Sequence, residues 1–200
     1  MLGLETAALL TGYAAPLIVS PGPGNTLLTS AGARLGVSGA ARFWIGFEIG
    51  NLLLCLLYGL GFGTLLHGAP GVHLALKWAG TAYLLYLAWG FARAALARDA
   101  MAEATAIPFT LTRGIASVLI NPKIHSMIAV MMAQFLDPQA PLVGQTVLIG
   151  LLFTAISIPC HFLWLFAGQA ILRRFTSRRA RIVQNGAFAL CMILVAIGLQ

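Results

Sequence analysis

Long apolar stretches alternate with short polar breaks along the 200 residues of this chain. They run roughly over Leu4–Ala33, Phe43–Leu66, Val72–Leu96, Phe109–Leu136, Val143–Leu172 and Ile182–Leu199. Each can supply the ~20 residues that a helix needs to cross the hydrocarbon of a bilayer. The separators hold glycine, proline and charge: RLGVSGAAR, HGAPG, RDAMAEATAIP, DPQAP and RRFTSRRAR. Runs such as NLLLCLLYGLGFGTLL lack the apolar–polar alternation of a membrane strand, so a β-barrel is excluded. The pattern predicts an all-α membrane protein with six transmembrane helices.

The polar linker 98–108 divides the chain into residues 1–97 and 109–200, each read as a three-helix repeat. With an odd number of crossings per half, the two halves run in opposite senses. The first helix of each half is overlong and broken near its middle, by PGPGN (Pro21 to Asn25) and by INPKI (Ile120 to Ile124). The spacing to the next helix is similar in both, Asn25 to Phe43 and Lys123 to Val143. Proline lacks an N–H and glycine is entropically costly in a helix, so each motif breaks the backbone ladder. Irregular backbone at membrane depth is tolerated only where protein, water or solute satisfies its polar groups. Broken helices at matching positions of inverted repeats are the pattern of a transporter's central binding site.

Composition agrees with the membrane reading. The chain is 60% hydrophobic and 8% charged, with a mean hydropathy of +0.91, against about 25% charged residues in a soluble domain. A net charge of +7 raises nucleic acid as a partner, but the arginines fall in short loops and read as topological charge. Arg34, Arg42, Arg93, Arg98, Arg113, Arg173, Arg174, Arg178, Arg179 and Arg181 all flank one side. Lys77 alone lies near the other, and Lys123 lies within a span. The positive-inside rule makes the arginine side cytoplasmic and places both termini outside. Cys55, Cys160 and Cys191 are isolated in apolar runs, which reads as packing and not as metal or redox chemistry. No cofactor is expected. The first residues carry Glu5 and no basic leader pattern, so they read as a retained helix.

Three ordered stretches, SPGPGNTLLTSAGARLGVSGAARFWIGFEIGN, LKWAGTAYLLYLAW and RGIASVLINPKIHSMIAVMMAQFLDP, resemble the LysE/RhtB family of amino-acid exporters. The shared pattern is a proline–glycine–proline–asparagine break in helix one, K-W-x-G-x-x-Y-L-x-Y-L in helix three, and asparagine–proline–lysine in helix four. The resemblance implies a six-helix secondary transporter of the bacterial inner membrane that exports amino acids or close derivatives. Family members commonly carry an acid after the glycine early in helix two. This chain offers Asn51 there, with Glu48 one turn earlier.

Several residues carry candidate chemistry. Lys123 lies ten residues past Arg113, about 15 Å along a continuous helix, and so near mid-membrane. An ammonium at that depth costs about 2.5–3.5 kcal/mol, which marks it as a functional candidate for a substrate carboxylate; snorkelling or a structural pair is the other reading. Asn121 and Pro122 either serve the same site or brace a kink in which proline frees the Val118 carbonyl. Pro21, Gly22, Pro23, Gly24 and Asn25 unwind helix one, and a helix restarting near Asn25 aims a positive end at an anion; a packing kink is the alternative.

Glu48 is a proton site or the partner of a substrate ammonium, or else it pairs with Arg42 or Lys123. Asn51 shares its face, and Tyr58 lies two turns further on. His161, just after Pro159, is a second proton-coupling candidate or a hydrogen-bonded structural histidine. His67 and His73 read as solvated. The pairs Gly32/Gly36, Gly46/Gly50 and Gly59/Gly63 predict close helix contacts. Tyr83 and Tyr86 either pack or line a cavity. The resulting expectation is a proton-linked exporter that alternates access around the two breaks, with a small amino acid and the lipid bilayer as partners and a homo-oligomer allowed. Export of another solute such as a metal cation lacks clustered Cys, Asp or Glu in the spans, and a membrane enzyme or thiol relay lacks its nucleophile–base or cysteine pair.

Overall fold

The computed structural model describes residues 3–20, 22–62, 70–96, 108–137, 140–172 and 178–198. Pro21, Gly63, His67, Arg98, Arg173, Arg174, Gln200 and nearly all of the linker lie outside these, as do the side chains of His73, Lys77, Tyr83, Arg181 and Cys191. Among the described residues every element is helical: α1 (Leu4–Val19), α2 (Pro23–Leu57), a π-helical turn (Tyr58–Phe62), α3 (Pro70–Leu96), α4 (Leu111–Leu119), α5 (Pro122–Phe135), α6 (Leu142–Ala170) and α7 (Arg178–Gly198).

Both expected breaks are present. α1 stops at Val19, and α2 restarts with Pro23 at its first turn, where a missing N–H costs nothing. α4 and α5 are parted at Ile120–Asn121 and bent by 65°. The bend corrects the straight-helix placement of Lys123, because the ten residues from Arg113 do not lie along one axis.

The segment RLGVSGAAR, read as a loop, is helical throughout except at Gly36. That residue adopts φ 71°, ψ 172°, a conformation glycine takes without a Cβ clash. The Val37 N–H, left out of the helical ladder by the turn, donates to Gln169 Oε1 (2.6 Å). Two helical arms are therefore joined by one residue with no loop between them. The stretches Pro23–Gly61 and Leu142–Ala170 are each long and apolar enough to cross a bilayer, and the bent α4–α5 pair passes the same test as a broken span.

α2 is the hub, packing along α6 and against α4, while α3 and α7 pair with each other. Glycine sets the closeness of the hub contacts. A Cβ on Gly32 would stand 2.0 Å from Leu165 O, and one on Gly168 would stand 2.1 Å from Thr29 O. The second arm repeats the device on α4. A Cβ on Gly46 would stand 2.1 Å from Leu111 O, and one on Gly114 would stand 2.2 Å from Phe43 O. Gly50 similarly abuts Val118, and Gly59 abuts Thr146. Of the glycine pairs, Gly32, Gly46, Gly50 and Gly59 make close helix contacts and Gly36 serves as the turn, while Gly63 lies outside the described residues. Apolar side chains such as Ile45, Leu53, Leu151, Leu163 and Phe166 point outward and are exposed, as a lipid-facing surface requires.

Candidate functional site

The end of α1 leaves its last carbonyls without intrahelical donors. Each finds a partner from this chain. Leu17 O accepts from the Ser20 hydroxyl (2.8 Å), Ile18 O from Asn25 Nδ2 (2.6 Å) and Val19 O from the Trp164 indole (3.2 Å). Ser20 O accepts from Asn25 Nδ2 (2.9 Å) and from the Lys123 ammonium (2.8 Å). The ammonium also donates to Ser20 Oγ (2.8 Å). A cation at a helix C-terminus is electrostatically favoured. Lys123, from the far half of the sequence, thus caps the first break.

The second break is built by its own motif. Asn121 Oδ1 accepts the Lys123 N–H (3.1 Å), so Asn121 is the N-cap of α5 with Pro122 following it. The Val118 carbonyl, which Pro122 deprives of a donor, accepts the Asn121 N–H (3.0 Å). The Leu119 carbonyl would take the Lys123 N–H in a continuous helix. It takes His125 Nε2 instead (2.6 Å).

Ser20 and Lys123 are 103 residues apart in sequence, and here the two breaks touch. A Cβ on Gly22 would lie 3.1 Å from Lys123 Cδ and 3.2 Å from its Nζ. One on Gly24 would lie 2.6 Å from Phe47 and 3.4 Å from Asn121 Nδ2. These glycines make room for the lysine and the phenyl ring. Between the breaks lies a cavity of ≈20 Å³ whose walls include Gly22, Gly24, Asn25, Asn51, Asn121, Lys123 and His161. That volume holds about one water molecule. Asn51 is 1% exposed, and its Oδ1 has no hydrogen-bond partner. A buried acceptor left this way is costly, and it suits a donor arriving in the cavity.

Glu48 stands behind this wall. Its Oε1 accepts from the Trp44 indole (2.9 Å) and lies 2.6 Å from His161 Nδ1. Its Oε2 accepts from Asn51 Nδ2 (3.3 Å) and from the Ser157 hydroxyl. The carboxylate is buried and fully hydrogen-bonded, and its titratable partner is His161 of α6, not Arg42 or Lys123. Phe47 packs edge-on against the His161 ring, 4.9 Å between centroids, and holds its orientation.

Of the residues expected at the site, Gly22, Gly24, Asn25, Asn51, Asn121, Lys123 and His161 line one cavity. Pro23 and Pro122 start the helices beside it. Glu48 reaches it through His161 and Asn51, and Pro21 lies outside the described residues. Tyr86 is not at the site: it is 44% exposed and sits under the Arg113 guanidinium. Ser20, Trp44, Ser157 and His125 escaped the sequence reading. Trp44 and Ser157 precede Glu48 and His161 by four residues, a same-face spacing that was there to be used.

Apolar helices around two broken ones, with buried polar side chains at the breaks, define a helical membrane protein with a polar site between the breaks. Sequence comparison gives the class its name: the chain belongs to the LysE type translocator family, whose family model matches residues 15–200. It is similar to the "Cysteine/O-acetylserine efflux protein" of Escherichia coli K12, 28% identical over 180 residues, covering 90% of this chain and 89% of the relative. The protein of the same name from Shigella flexneri matches equally well, 28% identical over 180 residues, again covering 90% of this chain and 89% of the relative. An uncharacterized membrane protein of Pseudomonas aeruginosa is 27% identical over 193 residues, covering 92% of this chain and 88% of its own. No solved structure matches the chain significantly.

Proposed function

We propose that this chain is a proton-coupled exporter of a small amino acid or close derivative across the bacterial cytoplasmic membrane. It does so through six spans in two inverted three-helix halves, with both termini outside. One observation carries the reading: the two helix breaks meet around a cavity that presents an ammonium and three amides, one of them with an unpartnered buried oxygen. These are the groups that a zwitterion needs. Lys123 exchanges its Ser20 carbonyl for the substrate carboxylate, with the Asn25 and Asn121 amides beside it. The substrate ammonium donates to Asn51 Oδ1.

The cavity as it stands holds about one water, whereas small-molecule sites run to about 300–1,000 Å³. Binding therefore requires the halves to part, which is the alternating-access motion expected of inverted repeats. The Glu48–His161 pair, one hydrogen bond behind Asn51, carries the coupling proton. The relatives named for cysteine and O-acetylserine efflux favour a small polar side chain. The test is efflux from cells loaded with dipeptides, with expressing cells compared against empty vector across the proteinogenic amino acids and O-acetylserine. Selective efflux of one or a few small amino acids is the expected result. No selective efflux of any of them overturns the reading.

A further inference from the structure

His125 lies two residues past Lys123 and belongs to no part of the mechanism above. Its ring joins three elements. Nε2 lies 2.6 Å from the Leu119 carbonyl at the end of α4, and Nδ1 lies 3.0 Å from the Tyr58 hydroxyl. A carbonyl only accepts, so Nε2 carries the hydrogen, and Nδ1 then accepts from Tyr58. The two rings meet edge to face at 5.8 Å. Tyr58 opens the π-helical turn, and Gly59 beside it is pressed on Thr146, where a Cβ would stand 2.3 Å from Cγ2. π-Turns recur at functional sites.

The Leu119 carbonyl is the acceptor that a straighter fourth span needs for the Lys123 N–H. In the bent form that N–H is on Asn121 Oδ1, and His125 occupies the vacated carbonyl. The bent form thus gives both groups other partners, and the histidine removes the need that would draw the span straight. We propose that His125, held by Tyr58, is a latch that keeps the α4–α5 break bent and so positions Asn121 and Lys123 at the first break. It is a positioning residue. Its role in transport rests on the function proposed above, but its effect on the bend does not.

The test reads the bend directly. Spin labels are placed at Leu111 and Val130, which are 38% and 45% exposed, with Cys55, Cys160 and Cys191 replaced by alanine. Pulsed electron resonance then gives their separation in detergent without substrate. His125→Phe removes both ring nitrogens. The Leu119 carbonyl can then recover the Lys123 N–H, and the span relaxes toward the smaller kink that a proline imposes. The distance grows by about 3 Å, from the helical rise and the lost bend. Tyr58→Phe shifts it the same way by less, and His125→Gln, whose amide keeps a donor and an acceptor, retains the parental distance. Efflux follows the distance, near parental for His125→Gln and at least tenfold lower for His125→Phe. A parental distance in His125→Phe overturns the latch. Where that variant does not assemble, a parental distance in Tyr58→Phe overturns it equally. A parent that exports nothing defeats the transport reading while leaving the distance measurement valid.

Discussion

Glu48→Gln separates charge from shape at the Glu48–His161 pair. The carboxylate accepts from Trp44, His161, Asn51 and Ser157. A glutamine placed with its oxygen toward Trp44 and His161 keeps those two contacts. Its amide nitrogen then faces Ser157 and Asn51, which at present are donors. Both can adjust. The Ser157 hydroxyl keeps a second acceptor in Thr154 O, 3.0 Å away, and can accept in turn. Rotating the Asn51 amide brings its unpartnered Oδ1 to face the new donor. The network closes with neutral groups, and the cost is the difference between charge-assisted and neutral hydrogen bonds, about 1–2 kcal/mol. For a protein of this size that lowers the melting temperature by about 2–8 °C. Glu48→Ala has no such remedy and loses about 3–5 kcal/mol, because it strands the donors and His161. The assay is efflux across the neutral pH range at matched membrane levels, with melting in detergent as the folding control. The glutamine variant should accumulate, melt near the parent, and lose both the rate and its pH dependence. Parental efflux and parental pH dependence in that variant would refute proton coupling at Glu48.

Other expectations follow from the same geometry. Lys123→Met removes both contacts to Ser20, whose carbonyl keeps the Asn25 donor, so the protein should insert normally. Efflux should fall by about two to four orders of magnitude, the scale of about 3–5 kcal/mol for a broken buried pair. Lys123→Arg should recover part of it, because the planar fork does not replace a point donor. Pro21→Ala/Pro23→Ala should insert and lose export; full export would reduce the first break to a packing kink. Gly114→Ala drives a Cβ into the Phe43 carbonyl and should cost about 1–3 kcal/mol in detergent melting. Alkaline phosphatase fused after Gln200 should be active and a cytoplasm-only fluorescent fusion dark; the reverse overturns the orientation.

The breaks were legible because proline and glycine act locally: PGPGN and INPKI each interrupt a helix where they stand. That they meet was readable from their matching positions in the two halves. The pairing of Glu48 with His161 was not, because 113 residues separate them and only the packing of α2 on α6 brings them together. The segment from Arg34 to Arg42 looked like a loop because two glycines and a serine lie between two arginines. Only Gly36 leaves the helix, since one positive-φ residue is enough to turn the chain. His125 went unread because nothing in INPKIHS says which carbonyl the break will leave open.

The seam of Gly32, Gly168, Gly46 and Gly114 bears on how this protein can be changed. At each of these positions any side chain at all meets a backbone carbonyl on the neighbouring helix, at 2.0–2.2 Å. Selection for a new cargo therefore has no small steps available there, because even alanine pushes the helices apart before it can alter what is bound. Around the cavity the walls include Phe47, Met127 and Phe153, side chains that can be exchanged for shorter or longer ones. Laboratory evolution toward other amino acids should accumulate its substitutions at those walls and leave the four glycines as they are. The seam is the part of the molecule that cargo selection cannot rewrite.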